Sequence, residues 1–255
     1  MDKLNYQELQ TYISEGVMTP FYDIRLQKLS ELTFNGIMKR KNPYLFKAKN
    51  IQTAEELVRY ILDAFLSSQE ETIFGNLMEE LAIFVCKKVY GGHKAEQGKF
   101  KSVDLIFEKD GKTYIVGIKS GPNWANSDQI NRMKGNFKKA RKILKSEGNT
   151  NTVVAINGCI YGKDNHPHKV NVRDKEKSYY KYCGQEFWEF ITGDNKFYQQ
   201  IILPIDKGAK KRDENFRNIY SAKINELTKD FSENYLTDEG HINWKKLIDF
   251  VSKKN

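Results

Sequence analysis

Cysteine is scarce in this 255-residue chain. Cys86, Cys159 and Cys183 are an odd number with no C-x-x-C pair among them, which excludes a disulfide framework and a thioredoxin-like motif and leaves buried free thiols as the plain reading. No window approaches the roughly eighteen apolar residues of a membrane span, and Met1–Tyr6 lacks the apolar core of a secretory signal. The expectation is a cytoplasmic chain. Neither G-x-x-x-x-G-K-[ST] nor G-x-G-x-x-G occurs, so ATP- or NAD-driven chemistry has no support and no nucleotide cofactor is expected. Repeats and long low-complexity linkers are also missing, which favours one domain, 1–255. Acidic charge is in deficit: 33 Asp and Glu face 42 Lys and Arg, a net +9. That excess favours a polyanionic partner, nucleic acid first. At 39% hydrophobic and 29% charged residues, the chain is too apolar for wholesale disorder and too polar for a membrane protein.

Along the chain, Lys39-Arg40-Lys41-Asn42-Pro43 precedes the first strong element, and Pro43 argues against a helix running through it. Thr53 and Glu56 form a capping box opening a helix to about Leu66, with Leu57, Val58, Ile61, Leu62 and Phe65 as its apolar stripe. Ser68 and Glu71 read as a second box, opening another helix to about Tyr90, where Gly91-Gly92 ends it. Val103–Glu108 and Thr113–Lys119 are β-rich and flank Asp110-Gly111, a two-residue hairpin signal. Ser127 then caps a basic amphipathic helix to about Lys145, and Thr152–Asn157 reads as a buried strand. Beyond Tyr179 the pattern is helical: Gln185–Ile191, Asn195–Ile202, Asp213–Tyr235 and Asn243–Ser252.

If Asp110-Gly111 fills the two turn positions, Asp104 stands opposite Gly117, and Lys119 is its diagonal neighbour on the same face. A carboxylate and an ammonium meet there, either as an ordinary cross-strand ion pair or as part of a site. On the preceding helix, Glu79 stands amid Ala82, Gly75, Cys86, Thr72, Tyr90 and Ile83 on a largely apolar side. A carboxylate so placed either reaches solvent or has a partner, such as a metal ion or a lysine.

Helix-borne Gly75-Asn76-Leu77-Met78-Glu79, then Ser102-Val103-Asp104-Leu105, then Ile115-Val116-Gly117-Ile118-Lys119 resemble the PD-(D/E)XK nuclease superfamily, and more closely its type II restriction endonucleases. Ile118-Lys119-Ser120-Gly121-Pro122-Asn123-Trp124, Asn42-Pro43-Tyr44-Leu45-Phe46 and Tyr182-Cys183-Gly184-Gln185-Glu186-Phe187-Trp188 look like one branch of those enzymes. The likeness covers roughly residues 40–205. It implies an α/β fold: a restriction-endonuclease-like central mixed β-sheet flanked by helices, with additional N- and C-terminal helices, a catalytic core about 53–160 and a helical extension about 180–255. It also implies Mg²⁺-dependent, sequence-specific hydrolysis of double-stranded DNA by a homodimer. The sequence departs from the motif at Gly117, where an acid normally stands two places before the lysine. Glycine offers no side-chain ligand, so Glu79 is the replacement expected, with Glu80 in reserve. The implied catalytic residues are Asp104, Lys119 and Glu79; the implied metal ligands are Asp104, Glu79 and the Ile118 carbonyl.

The Ser127–Glu147 helix carries Arg132, Lys134, Lys138, Lys139, Arg141, Lys142 and Lys145 against Asp128 and Glu147. It is either a phosphate-contacting surface or a solvated face. With Ser120, Asn123, Trp124, Asn126, Ser127 and Gln129, the residues Arg132, Lys134, Lys138 and Lys139 are the expected DNA contacts, although Trp124 also suits a core position. His166 and His168 lack zinc-spaced partners and fit a polar loop better. Tyr179–Tyr182 and Phe187-Trp188-Phe190 suit base stacking or, better, packing. Two alternatives stay open beside the restriction enzyme: a repair or structure-specific nuclease, and a DNA-binding module that has lost catalysis.

Overall fold

The structure, a computed structural model, describes residues 5–207 and 209–254. In chain order it contains α1 (Tyr6–Tyr12), a π-helical turn (Ile13–Met18), α2 (Thr19–Ser30), α3 (Phe34–Met38), α4 (Pro43–Ala48) and α5 (Ala54–Tyr90). Then come β1 (His93–Lys94), β2 (Leu105–Lys109), β3 (Lys112–Lys119), α6 (Ser127–Ser146), β4 (Thr152–Cys159), β5 (His168–Lys169) and β6 (Tyr179–Cys183). Helices α7 (Gln185–Thr192), α8 (Phe197–Gln200), α9 (Ile202–Asp206), α10 (Ala209–Tyr235) and α11 (Trp244–Ser252) follow. The chain divides into two compact units. The first takes residues 5–18 and Gly75–Lys207; the second takes Thr19–Phe74 and residues 209–254.

The first unit is built on a six-stranded sheet of order β1-β2-β3-β4-β6-β5. Its β1–β2–β3 side and the β5–β6 edge are antiparallel, whereas β3–β4 and β4–β6 run parallel, so the sheet is mixed as expected. Parallel β3 and β4 need a crossover, and α6 supplies it. Its Met133, Phe137 and Ala140 are buried in one cluster with Val103, Ile106, Ile115 and Ala155. On the other face Phe107 stacks with Tyr90 of α5 at 5.7 Å and meets Phe190 of α7 at 5.5 Å. Gly158 admits Phe187 of α7 where a side chain would collide with the ring.

The hairpin is as read from the sequence. Asp110 and Gly111 both have positive φ, 50° and 66°, the conformation a type I′ turn requires and Asp-Gly supplies. Leu105 pairs with Val116 and Ile106 with Ile115, the register read from the turn; the regular pairing stops there, and Asp104, expected opposite Gly117, bonds through its amide to the Val116 carbonyl instead.

Four readings are corrected. The two helices expected at 53–66 and 68–90 are the single α5. Thr53 does cap it, accepting from the Glu56 amide at 3.2 Å, but Ser68 lies inside, its hydroxyl donating back to the Ala64 carbonyl at 3.1 Å. A serine bonded this way continues a helix rather than opening one. Secondly, Asn126, not Ser127, caps α6, in a reciprocal capping box with Gln129. Thirdly, Tyr179–Cys183 is a strand, buried at its ends, Tyr179 and Cys183, and half-buried between them; without a clear period of two, nothing local marked it. The helix expected at 195–202 is instead two short pieces, α8 and α9. All three cysteines are free and buried, and burial pushes the Cys86 and Cys159 thiols up to about 12, so both are packing groups.

The second unit has its own core. Leu57, Val58, Ile61, Leu62 and Phe65 of α5 cluster with Phe216, Ile224, Leu227 and Phe231 of α10. At about 1.5–3 kcal/mol for each large side chain buried, this is enough to hold a helical unit together. Pro43 begins α4 with Asn42 as its cap, which agrees with a proline that no helix runs through.

Candidate active site

At the open end of the β2–β3 hairpin the ladder is irregular. The Asp104 amide donates to the Val116 carbonyl at 2.8 Å, one residue off the register of the strands, while the Asp104 carboxylate accepts the Ile118 amide at 2.7 Å through Oδ2. Asp104 is only 7% exposed. A charge-assisted bond of this type contributes about 1.5–3 kcal/mol, so the backbone itself fixes the carboxylate. Gln97 donates to Oδ1 at 3.3 Å and to the Val103 carbonyl at 3.1 Å; nothing in the sequence marked it. Lys119 Nζ lies 3.5 Å from Asp104 Oδ2 and donates to the Ile118 carbonyl at 2.6 Å. At this separation and partial exposure the ion pair adds about 1 kcal/mol or less. The pair is not what secures the hairpin.

Glu79 of α5 belongs to the same charge cluster. Burial first, and then the Asp104 carboxylate, push its carboxyl up to about 7, against the pull of Lys119 and Lys94. The helix acid is therefore close enough to sense both hairpin residues. Glu80 points to another partner, an ion pair with Lys94.

Gly117 explains why the usual strand acid is missing. An ideal Cβ there falls 2.6 Å from the Ser102 carbonyl oxygen and 3.4 Å from Phe137 Cζ. Backbone, not solvent, fills the place where a side chain would begin. Ser102 is held at φ 60° with its hydroxyl accepting from Asn136 Nδ2 at 2.8 Å.

The segment after Lys119 is tied down on several sides. Trp124 Nε1 donates to Asn157 Oδ1 at 3.1 Å, and Asn157 Nδ2 donates to the Gly117 carbonyl at 3.2 Å. Asn157, 1% exposed, was visible in the sequence as a polar residue inside an apolar strand, yet it was not singled out. The Lys119 ammonium lies 5.5 Å from the Trp124 ring centroid. Lys181 donates to the Pro122 carbonyl at 2.9 Å and pairs with Asp164 at 3.4 Å.

The expected DNA contacts are in mixed situations. Ser120, Asn123, Ser127, Arg132 and Lys139 are exposed. The side chains of Asn126 and Gln129 are engaged with each other's backbone amides. Lys138 pairs with Asp174 at 2.9 Å and Glu176 at 3.1 Å, Lys134 lies 6.0 Å from the Tyr179 ring, and Arg141 donates to the Val153, Glu176 and Ser178 carbonyls. His168 stacks on Tyr180 at 4.5 Å.

Among the described residues no group of three or more His, Cys, Asp or Glu side chains is arranged to hold a metal ion. The oxygen groups available near the hairpin end are the Asp104 carboxylate, the Ile118 carbonyl and, within electrostatic reach on α5, the Glu79 carboxylate. These are hard oxygen ligands, the set that Mg²⁺ takes in company with water and phosphate. Burial first, and then the Asp104 charge, raise the Glu79 pKa, and a bound cation would offset both, so the chemistry of these residues fits a hard divalent ion.

A mixed sheet whose hairpin brings an aspartate and a lysine to its open end, beside an acid from the preceding helix, places the protein in the restriction-endonuclease class of nucleases. The comparison with protein families makes this specific: residues 7–213 match the family described as Type II restriction endonuclease EcoO109I, and the chain belongs to that family. It is a type II site-specific deoxyribonuclease, which cleaves double-stranded DNA at defined sequences; such enzymes are typically metal-dependent. No curated protein matches the chain. Among the described residues no helix is long and apolar enough to cross a membrane.

Proposed function

We propose that the protein hydrolyses phosphodiester bonds of duplex DNA at a site formed by Asp104, Glu79 and Lys119, with Mg²⁺ as its metal. The observation that carries this reading is the meeting of Asp104 and Lys119 at 3.5 Å within the charge field of a half-buried Glu79. Asp104 and Glu79 would hold the ion, with the Ile118 carbonyl oxygen as a further ligand. When bound, Mg²⁺ supplies charge neutralisation at the phosphate and at the leaving oxygen. Lys119, as an ammonium, orients the attacking water and offsets phosphate charge, while the proton the water loses passes to solvent. The water oxygen forms the new bond to phosphorus, the bond from phosphorus to the leaving sugar oxygen breaks, and that oxygen departs with a proton from solvent.

Exposed cations of α6, Arg132 and Lys139 among them, contact phosphates, while Ser120, Asn123 and Ser127 contribute polar contacts to the DNA. A homodimer in the cytoplasm would present two such sites to the two strands of a palindromic or interrupted-palindromic target. Digestion of plasmid DNA tests the reading. Mg²⁺ should give a fixed set of fragments that chelation abolishes, and Asp104→Ala and Lys119→Ala proteins should bind DNA but cut it very slowly. Near-normal cutting by either variant removes the assignment; digestion that follows ends or junctions would favour a structure-specific nuclease.

A further inference from the structure

We infer that Asn157 and Trp124 are positioning residues for Lys119, an inference that rests on the catalytic reading of Lys119. The β3–β4 register sets Asn157 directly beside Gly117, two residues before the lysine. A buried amide in the middle of an apolar strand is costly unless its hydrogen bonds are met. Here both ends of the Asn157 amide are used, and both act on the active-site segment. Nδ2 holds the Gly117 carbonyl at 3.2 Å, fixing the backbone that leads into Ile118 and Lys119, and Oδ1 holds the Trp124 indole N–H at 3.1 Å. The indole so anchored lies along the lysine side chain, with Nζ 5.5 Å from the ring centroid. Its face attracts the ammonium without accepting its protons, and its bulk restricts the rotamers of a long, flexible chain.

Lys119 Nζ is thereby fixed on three sides: Asp104 Oδ2, the Ile118 carbonyl and the Trp124 ring. Trp124 is thus a support beneath the catalytic ammonium, not a reader of bases, because its one polar atom already has a buried partner. Side chains that hold a reacting group in place act on rate, and a misplacement of about 1 Å can cost about 10²-fold.

The test compares Trp124→Phe, Trp124→Leu and Asn157→Leu in the full-length enzyme, in parental and Lys119→Ala backgrounds. Single-turnover cleavage with enzyme in excess reads the chemical step, and metal-free DNA binding reads affinity. Trp124→Phe keeps a ring but loses its anchor and should slow cleavage about tenfold; Trp124→Leu and Asn157→Leu should slow it about 10²-fold. Affinity should stay within about twofold for all three. Because both residues act through Lys119, the residual cleavage of the Lys119→Ala protein should not fall further when Trp124→Phe is added. Parental rates in folded Trp124 variants, an equal further loss in the Lys119→Ala background, or a loss confined to DNA affinity would each overturn the inference. Should Asn157→Leu melt below the assay temperature, the two Trp124 variants decide the matter. If Lys119→Ala itself cuts normally, it is the catalytic reading that fails instead.

Discussion

Replacing Gly117 by alanine and by aspartate separates two reasons for the absent strand acid: lack of need and lack of room. An added Cβ would lie 2.6 Å from the Ser102 carbonyl oxygen, well inside ordinary contact, and the neighbour is backbone that cannot swing aside. Ser102 is already at φ 60°, its hydroxyl tied to Asn136, and the Val103 amide is bonded to the Phe100 carbonyl at 3.1 Å. Relief therefore requires moving the strand that carries Asp104. Overpacking of this kind costs about 1–3 kcal/mol, which for a chain of this size lowers Tm by roughly 2–12 °C. Gly117→Ala should melt in that range below the parent and cut DNA about 10²-fold more slowly, since Asp104 shifts. Gly117→Asp should fare no better than alanine, although it restores the family's usual residue. Melting curves and single-turnover cleavage measure both effects. A Gly117→Asp protein with unchanged Tm and faster cleavage would refute the steric argument, and with it the need for Glu79.

Glu79→Gln gives a pH test in the metal-free protein. Folding raises the Glu79 carboxyl from its ordinary range to about 7, so the native state holds this proton more tightly than the unfolded chain does. The resulting stability is fully present below about pH 4.3 and is lost as pH rises through 7. At about 1.4 kcal/mol per pH unit, reduced for partial exposure, the parent should lose about 1–2 kcal/mol relative to Glu79→Gln across that window; a flat difference in Tm would contradict it. Salt titration of DNA binding distinguishes the α6 cations: each of Arg132→Ala and Lys139→Ala should lower the log–log slope by about 0.9. Lys138→Ala, whose charge is already met by Asp174 and Glu176, should change the slope little, and a full loss at Lys138 would show that those pairs open on binding.

Much of the catalytic unit was legible in the sequence because its signals are local. Asp110-Gly111 set the hairpin and the hairpin set the β2–β3 register, which brings Asp104 and Lys119 to the same end, where a one-residue irregularity aims the Asp104 carboxylate at the Ile118 amide. Position on the helix set Glu79 on a largely apolar side and left Glu80 in reserve; Glu80 pairs with Lys94. What escaped was either non-local or locally ambiguous. Ser68 and Glu71 have the spacing of a cap, but the same serine fits a helix interior when its hydroxyl bonds backward. Tyr179–Cys183 becomes a strand only by pairing with β4 and β5. Asn126 and Gln129 each lend a side-chain oxygen to the α6 cap, and the Trp124 indole N–H bonds to a buried amide, engagements that depend on the fold and that residue type alone does not reveal. Gln97 and Asn157 reach the site only through the fold.

Whether Glu79 takes the place of the strand acid is read most directly from Mg²⁺-dependent single-turnover cleavage of target duplex by Glu79→Gln beside Glu80→Gln. Glu79→Gln should cut at least about 10³-fold more slowly, with about 1.36 kcal/mol of transition-state stabilisation lost for each tenfold, while Glu80→Gln stays within about threefold of the parent. Parental cleavage by Glu79→Gln, or a collapse of activity in Glu80→Gln alone, would contradict that role.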